Sequence, residues 1–487
     1  MPTSALIQLV SVGQTDAFFS SNPEISHFKY VYRRHSRFSM ESLKIQFDGP
    51  PPSLRSGETS TSRIKIPRHG DLLSTCNLVM KMPNVYSNGN LRFRWIENFA
   101  THFIRRADVY IGSYGRPIDT IYGDWMLIWN ELSMPSGKKE GYNRMTGNVP
   151  AMTNPRITKP TVIMGKNGSY QYSYYPSSVK PTQASSSTQT ETEQLITSLG
   201  DELGVPVPFQ SPSITSRQVA VPLQFYFTKD TTASIPLCAL QTSELIIVIE
   251  TEDAERLYQV YDDEYGYIGP AYYNRLRGTN IRLNDFVDTD DLSSYLECKY
   301  VYLDEEERRM ITTNQINNQF IVPTIYRKDF QVVDNVVSVD LDLSTPVKEI
   351  VWVLQRGDTP DRNAYTNYTA SPLGERDQEI MRSAKILWNK SNERVEEKDG
   401  IYFNKIQPYE HHTTVPKEGI YAYSFAVIPE RWQPSGYYNP SSTYGINTSL
   451  RISVNKYPGV DEYTGVVFAL VYNILEIIGG DAGLKFA

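Results

Sequence analysis

The stretch Val337-Ser-Val-Asp-Leu-Asp-Leu343 alternates apolar and polar side chains without interruption. Successive side chains of a β-strand point to opposite faces, so this pattern predicts a strand with one buried face. Leu450-Arg-Ile-Ser-Val454 shows the same alternation, whereas residues 245–249 and 466–471 are continuous apolar runs, which favour strands covered on both faces. Together these segments predict an all-β protein.

Helical patterns are few. One helix face is predicted by four apolar residues at helical spacing, Trp125, Ile128, Trp129 and Leu132. Asp124 falls in the expected first turn, where the helix dipole favours a negative charge. The pattern therefore predicts a short helix whose tryptophans pack onto a sheet, and a second helix is predicted over about residues 376–389.

The composition indicates a large folded protein with contact surfaces. The chain has 487 residues, 40% of them hydrophobic, and its 34 tyrosines suit strands and interfaces. The net charge of −7 argues against a general polyanion binder, although residues 1–120 carry a net +6 and the remainder −13. Many strands with few helices favour sandwiches or barrels.

Two segments interrupt the strand-rich pattern. Residues 149–215 are rich in Ser, Thr, Pro and Tyr, which predicts a long exposed loop. The acidic, Tyr-rich residues 250–267 separate two β-rich halves and indicate an inter-domain connection. These features divide the chain into an N-terminal arm (1–24), a first β domain (25–255), a connector (256–292) and a second β domain (293–487).

No motif supports catalysis. The six histidines lack metal-ligand spacing, and no nucleophile elbow, P-loop or dinucleotide-binding motif occurs. On a strand, the adjacent His411 and His412 would point to opposite sides, and the acidic cluster at 288–291 lacks the glycine and terminal glutamate of a calcium loop. We therefore expect no enzymatic activity, cofactor or metal.

The cysteines and the apolar runs indicate in which cellular compartment the protein resides. Cys76, Cys238 and Cys298 are far apart in the sequence, which predicts free thiols in a reducing compartment. No apolar run reaches the length of a membrane helix, and a secretory signal is not expected.

Two sets of residues are candidate contact or modification sites. A basic cluster interleaved with aromatic residues comprises Lys29, Arg33, Arg34 and Arg37. If this segment is a strand, Phe28, Tyr30 and Tyr32 share one face and Lys29 lies on the other. Interleaved basic and aromatic residues can bind nucleic acid, but a single such cluster favours a strand with a charged outer face or a basic contact patch. Candidate glycosylation sequons begin at Asn167, Asn367, Asn389 and Asn447.

Seven segments in order resemble the double jelly-roll major capsid proteins of nucleocytoplasmic large DNA viruses. Residues 22–38, N-P-E-I-S-H-F-K-Y-V-Y-R-R-H-S-R-F, are similar to the family's N-P-x-I-T-F-F-K-x-V-Y-R-R-H-T-x-F opening. The other similar segments are 68–73 (R-H-G-D-L-L), 122–132, 221–227 with 235–241, 300–309, 346–352 (P-V-K-E-I-V-W) and 472–484. Each motif alone is weak, whereas the ordered set is specific.

The resemblance implies two consecutive eight-stranded jelly-roll β-sandwiches with a few short helices in loops. It also implies a structural subunit that self-assembles as pseudo-hexagonal homotrimeric capsomers, which tile the icosahedral shell of a virion built in the host cytoplasm. Expected partners are further copies of the chain, minor capsid and penton proteins, and the internal viral membrane, without sequence-specific nucleic-acid binding. The basic cluster then belongs to the inner face.

Other functions are compatible with such a fold, because jelly rolls also occur in lectins. One alternative is a carbohydrate-binding or adhesive surface protein, and another is a β-rich hydrolase acting on polysaccharide. Within the capsid interpretation, a minor capsid paralogue is a further alternative.

Overall fold

The computed structural model describes residues 3–54, 57, 59–112, 115–164, 170–178, 180, 211–287, 293–313, 318–372, 378–388, 392–440, 448–460 and 462–486. Residues Met1–Phe38 form one unit and Ser39–Ala487 another. The first unit contains the helices Thr3–Val10 and Gln14–Ser20. Residues 28–37 are not a strand, because the first strand begins at Phe38. The strand alternation considered for Phe28, Tyr30 and Tyr32 is therefore wrong, and all three side chains are exposed.

The first half of the larger unit is an antiparallel sandwich. Its strands are β1 (Phe38–Ile45), β2 (Ser60–Ile66), β3 (Leu72–Met82), β4 (Phe93–Trp95), β5 (Ile104–Ile111), β6 (Asp119–Tyr122), β7 (Thr161–Met164), β8 (Tyr170–Ser173), β9 (Arg217–Pro222), β10 (Ile235–Pro236), β11 (Leu245–Thr251), β12 (Tyr258–Asp262), β13 (Gly266–Ile268) and β14 (Ser294–Leu303). One sheet has the order β1-β14-β3-β10, with β9 also paired to β3, and the other has the order β2-β11-β5-β6. Apolar side chains from both sheets meet in one core.

The second half repeats this architecture. Its strands are β15 (Asn318–Val332), β16 (Val336–Leu341), β17 (Val347–Arg356), β18 (Met381–Trp388), β19 (Asn392–Asp399), β20 (Ile420–Ser424), β21 (Thr448–Val454), β22 (Tyr463–Ile478) and β23 (Asp481–Leu484). The sheet β15-β22-β17-β20, with β23 on β22, faces the sheet β16-β21-β18-β19. Val339 and Leu341 of the opening stretch point into the core, as their alternation predicts.

The strand pairing corrects the sequence-based division of the chain. Strand β14, assigned above to the second domain, pairs with β3 and β1 in the first sandwich. The segment assigned to a connector contains β12, which pairs with β4 and β13 and is almost wholly buried. The first half therefore continues to Leu303, because hydrogen bonding between distant strands, not composition, sets its end.

The long loop 149–215 is only partly exposed. Its described parts include the β7–β8 hairpin and Tyr175, which is 4% exposed. The Tyr175 hydroxyl accepts a hydrogen bond from Phe93 N (3.1 Å) and donates one to Phe93 O (2.9 Å). This end of the loop is thus anchored on β4, while 181–210 lies outside the described residues.

The α-helices over the described residues of the larger unit are Phe99–His102, Gly123–Ser133, Ser136–Met145, Pro150–Thr153, Tyr226–Lys229, Pro270–Arg277, Glu305–Thr313, Thr359–Arg362 and Gln407–His411, with a π-helical turn at Tyr402–Ile406. The helix predicted over 376–389 is wrong: Met381–Trp388 form β18, and the described residues 378–380 before it are not helical. Register shifts along β18 break the period of two, so its apolar residues imitate helical spacing. Among the described residues, no helix is long and apolar enough to cross a membrane.

Candidate functional site: the joint between the two sandwiches

The helix Gly123–Ser133, which we call the cap helix, lies where the sequence predicts it. It follows β6 directly, and a Cβ on Gly123 would lie 2.3 Å from the carbonyl oxygen of Ile104. Only glycine therefore permits the helix to start this close to β5. Asp124 occupies the first turn, as expected.

The cap helix belongs to the first half but packs on the second. Its apolar face, Trp125, Ile128, Trp129 and Leu132, joins a cluster with Val351, Val353, Ile420, Ala422, Phe468 and Leu470 on strands β17, β20 and β22. The ring centroids of Trp125 and Phe468 are 5.1 Å apart. The prediction that these tryptophans pack a helix onto a sheet is confirmed, and the sheet belongs to the other sandwich.

This packing explains the continuous apolar run at 466–471. Val467, Ala469 and Val471 point into the core of the second sandwich, whereas Phe468 and Leu470 point to the cap helix. The strand is covered on both faces, as its sequence predicts.

A buried ionic group lies beside the cap helix. His412 Nε2 lies 3.1 Å from Glu349 Oε2, and His412 Nδ1 lies 3.2 Å from Glu430 Oε1. The side chains of His412 and Glu349 are 1% and 0% exposed, and the His412 ring meets Trp129 edge-on. Burial alone lowers the pKa of a histidine, but the two carboxylates outweigh it and raise the pKa of His412 to about 9.

The chain around His412 also contacts the cap helix directly. Thr414 N donates to Leu132 O (2.9 Å), and Thr414 Oγ1 donates to Met134 O (2.8 Å). His411 ends a helix and His412 follows it, so the strand placement considered for the pair is wrong. His411 Nδ1 lies 3.0 Å from Val427 O instead.

A second contact joins the halves at Asp71. Its carboxylate accepts a hydrogen bond from Leu303 N (2.9 Å), at the end of β14. It also pairs with Arg308, on the helix that leads into the second sandwich, with Nε and Oδ1 2.8 Å apart. A Cβ on Gly70 would lie 2.8 Å from Tyr300 Cβ, so the R-H-G-D segment needs glycine beside β14.

The C-terminal hairpin makes a third contact. Thr242 N and Ser243 N of the first half both donate to Gly480 O, at 3.2 and 3.3 Å. Ser243 Oγ donates to the Asp481 carboxylate. Leu475 and Ile477 of β22 are buried in the core of the first sandwich.

A fourth contact uses Asn363, whose φ of 50° lies in the left-handed region that Asn tolerates. Its Nδ2 donates to Glu255 O (2.8 Å) and Tyr258 O (2.9 Å). We define the joint as these four contacts: the cap helix with His412, Asp71 with Arg308, the C-terminal hairpin, and Asn363.

The candidate site residues from the sequence lie elsewhere. Lys29, Arg33, Arg34 and Arg37 are exposed in the unit Met1–Phe38. Asn367 is described, and its Nδ2 donates to Ser371 O (2.7 Å) while its Oδ1 accepts from Thr369 N (3.0 Å). Asn167, Asn389 and Asn447, and the acidic cluster at 288–291, lie outside the described residues.

Sequence reasoning missed the joint, although the segments that resemble the family contain most of it. Asp71 lies in the 68–73 segment, Arg308 in 300–309, Glu349 in 346–352 and Gly480 in 472–484. The residues of the joint were therefore in segments that the sequence singled out, but no spacing along the chain shows that these segments contact one another.

Two antiparallel sandwiches fixed together by a buried joint define a structural building block of the double jelly-roll class. The family model "Major capsid protein N-terminus" matches residues 26–304, and the model "Large eukaryotic DNA virus major capsid protein" matches residues 305–483. The chain belongs to this family of major capsid proteins of large eukaryotic DNA viruses. It is a structural protein of the virion and not an enzyme.

Several capsid proteins are similar in sequence to this chain over nearly its full length. The chain is 27% identical to the major capsid protein of Phaeocystis pouchetii virus and 28% identical to that of Pyramimonas orientalis virus, with 99% of each chain covered. It is 26% identical to probable capsid protein 4 of Acanthamoeba polyphaga mimivirus, over 99% of this chain and 98% of that one.

Solved structures share the fold. The structure titled "PBCV-1 virus capsid, quasi-atomic model" matches with a TM-score of 0.66 at 20% identity, over 95% of this chain and 100% of that chain. The Faustovirus major capsid protein matches with a TM-score of 0.65 at 12% identity, over 96% and 94%. These matches confirm the double jelly roll expected from the sequence.

Proposed function

We propose that the chain assembles as a homotrimeric capsomer of pseudo-hexagonal outline that tiles an icosahedral shell. The observation that carries this proposal is the joint, which holds two similar sandwiches as one body. Three such bodies around a threefold axis present six similar lobes, which suits hexagonal packing. Closed cyclic symmetry then uses one repeated interface between neighbouring chains.

The joint matters mechanically because a shell transmits load through its subunits. If the two sandwiches moved independently, lobe spacing within a capsomer would vary and neighbouring capsomers would not match. The cap helix prevents this by covering the β15-β22-β17-β20 sheet with Trp125 and Trp129, both buried. Dense apolar packing of this kind resists deformation.

The assembly test uses the full chain, purified and weighed by light scattering and native mass spectrometry. We expect a species of three chains whose images have a hexagonal outline. A monomer under all conditions contradicts the proposal, and a monomer that binds glycans supports the adhesive alternative. Counting the chain's copies per virion separates a major subunit from a minor capsid paralogue, because a minor component is present in far fewer copies.

The proposed partners at the inner face are minor capsid proteins, penton proteins and the internal viral membrane, met during assembly in the host cytoplasm. Two observations on the unit Met1–Phe38 support such contacts. Phe18 and Phe19 are 83% and 86% exposed. The exposed cations Lys29, Arg33, Arg34 and Arg37 add a positive charge that suits acidic surfaces.

Deleting residues 1–20 tests this placement separately from trimer formation. We expect the variant still to form trimers but to build defective shells. The control replaces Lys398, a half-buried cation on β19, with Glu, which should leave shells intact. Normal shells from the deletion variant would contradict an inner-face role for the arm.

A further inference from the structure

Two of the three cysteines meet in the core of the first sandwich. Cys76 of β3 and Cys298 of β14 are direct partners across the two antiparallel strands. Their Sγ atoms are 3.4 Å apart, and the residues are 1% and 0% exposed. All three thiols are free, as the sequence predicts, but Cys76 and Cys298 lie opposite each other in the sheet although 222 positions separate them in the chain.

The backbone already has a geometry that a disulfide accepts. Directly opposed residues of antiparallel strands have Cα atoms about 4.5 or 5.5 Å apart, and disulfides span Cα distances of about 4.4 to 6.8 Å. A bond of about 2.05 Å needs the sulfur atoms to approach by roughly 1.4 Å from their separation of 3.4 Å.

We propose that Cys76 and Cys298 form an oxidation site, at which a disulfide locks β14 to β3. A peroxide is the oxidant. The sulfur of one thiolate attacks a peroxide oxygen, the O–O bond breaks, and a sulfenic acid and hydroxide result. The second sulfur then displaces the sulfenic hydroxyl as water, so two thiols and one hydrogen peroxide yield one disulfide and two waters.

The environment makes this step slow in the closed fold. Burial raises the pKa of the Cys76 thiol, and the neighbouring Cys298 raises it further. The thiols therefore persist in a reducing cell and react when β14 transiently separates from β3. The disulfide would close a loop containing most of the first sandwich, and it lies on the strand whose end Asp71 holds. Oxidation thus stabilises the subunit once it leaves the reducing compartment.

The test treats the purified full-length protein with hydrogen peroxide near its thermal midpoint, where strand separation is frequent. The protein is then denatured without reductant, alkylated and mapped by mass spectrometry. We expect a peptide pair linked through Cys76 and Cys298, a fall in alkylatable thiols from three to one, and a rise in Tm of about 5 °C that a reductant reverses.

Variants separate this site from the third cysteine. Cys238→Ala should keep both the linked peptides and the Tm rise, whereas Cys298→Ala should lose both. Because the disulfide is mapped directly in the wild-type chain, the test of the proposal does not depend on whether Cys298→Ala folds well. Three alkylatable thiols after treatment, sulfinic acid at either position, or a link that includes Cys238 would each overturn the proposal.

Discussion

Arg308 and Asp71 form a paired ion contact although 237 positions separate them: Nε and Oδ1 are 2.8 Å apart, and the second guanidinium nitrogen lies 2.9 Å from Oδ2. Asp71 precedes β3 of the first sandwich, and Arg308 lies on the helix that leads to the second. The same carboxylate receives the amide of Leu303. One acidic side chain therefore fixes the point where the chain leaves the first sandwich.

Replacing Asp71 with Ala should lower the free energy of unfolding by about 2 kcal/mol, because it leaves a backbone amide and a guanidinium without their acceptor. Chemical denaturation measures the change. Arg308→Ala should also reduce Tm, and by more than Arg309→Ala, since Arg309 contacts Glu305 at side-chain exposures of 73% and 82%. Equal effects of the two arginine variants would show that the Asp71 contact contributes nothing.

Replacing Trp125 with Ala should cost about 3–5 kcal/mol, because Trp125 is fully buried between the halves and its removal leaves a cavity. Hydrogen exchange should quicken first in β17 and β22, under the cap helix. Tyr409→Ala, at an 80% exposed position, is the matched aromatic control and should be nearly neutral. Equal loss of protection in β16 and β21, on the far sheet, would contradict a local joint role.

Stability should depend on pH through His412. Its folded pKa of about 9 exceeds the unfolded value of about 6.5, so its contribution is complete below pH 6.5 and is lost as pH rises through 9. This shift contributes at most roughly 3 kcal/mol to the free energy of unfolding. The difference in unfolding free energy between wild type and His412→Gln should therefore shrink between pH 6.5 and 9.

His411→Gln is the control for this titration, because the neighbouring ring contacts Val427 O rather than the two carboxylates. It should retain the wild-type pH profile. A constant difference between wild type and His412→Gln across this range would contradict the assignment of the titration to His412.

Asn367 should carry no glycan even where the other sequons do. Its amide nitrogen donates to Ser371 O and its amide oxygen accepts from Thr369, so attachment of a sugar would break the turn. Glycopeptide mapping of virion-derived protein checks this. Finding Asn367 occupied would mean that the turn opens before modification.

The fold class was predictable from local patterns. The alternation around Val339, the double-sided run at 466–471 and the cap-helix spacing each correspond to the observed burial. The prediction of a helix failed at β18, because register shifts along this strand remove the period of two that identifies a strand. The candidate site was less predictable, since the basic cluster and the sequons are local motifs whereas the joint is assembled from distant segments.

The sequence by itself determined the buried faces of β16 and of the run at 466–471, and the helical conformation of the cap helix, because side-chain periodicity follows from backbone geometry alone. Only the tertiary structure decided the partners. It placed the cap helix of one half on the sheet of the other, β14 beside β3, and Cys76 beside Cys298. The physical reason is that the hydrophobic effect is non-directional. An apolar face is stabilised by burial against any apolar surface, and only the folded chain specifies which segment packs on it.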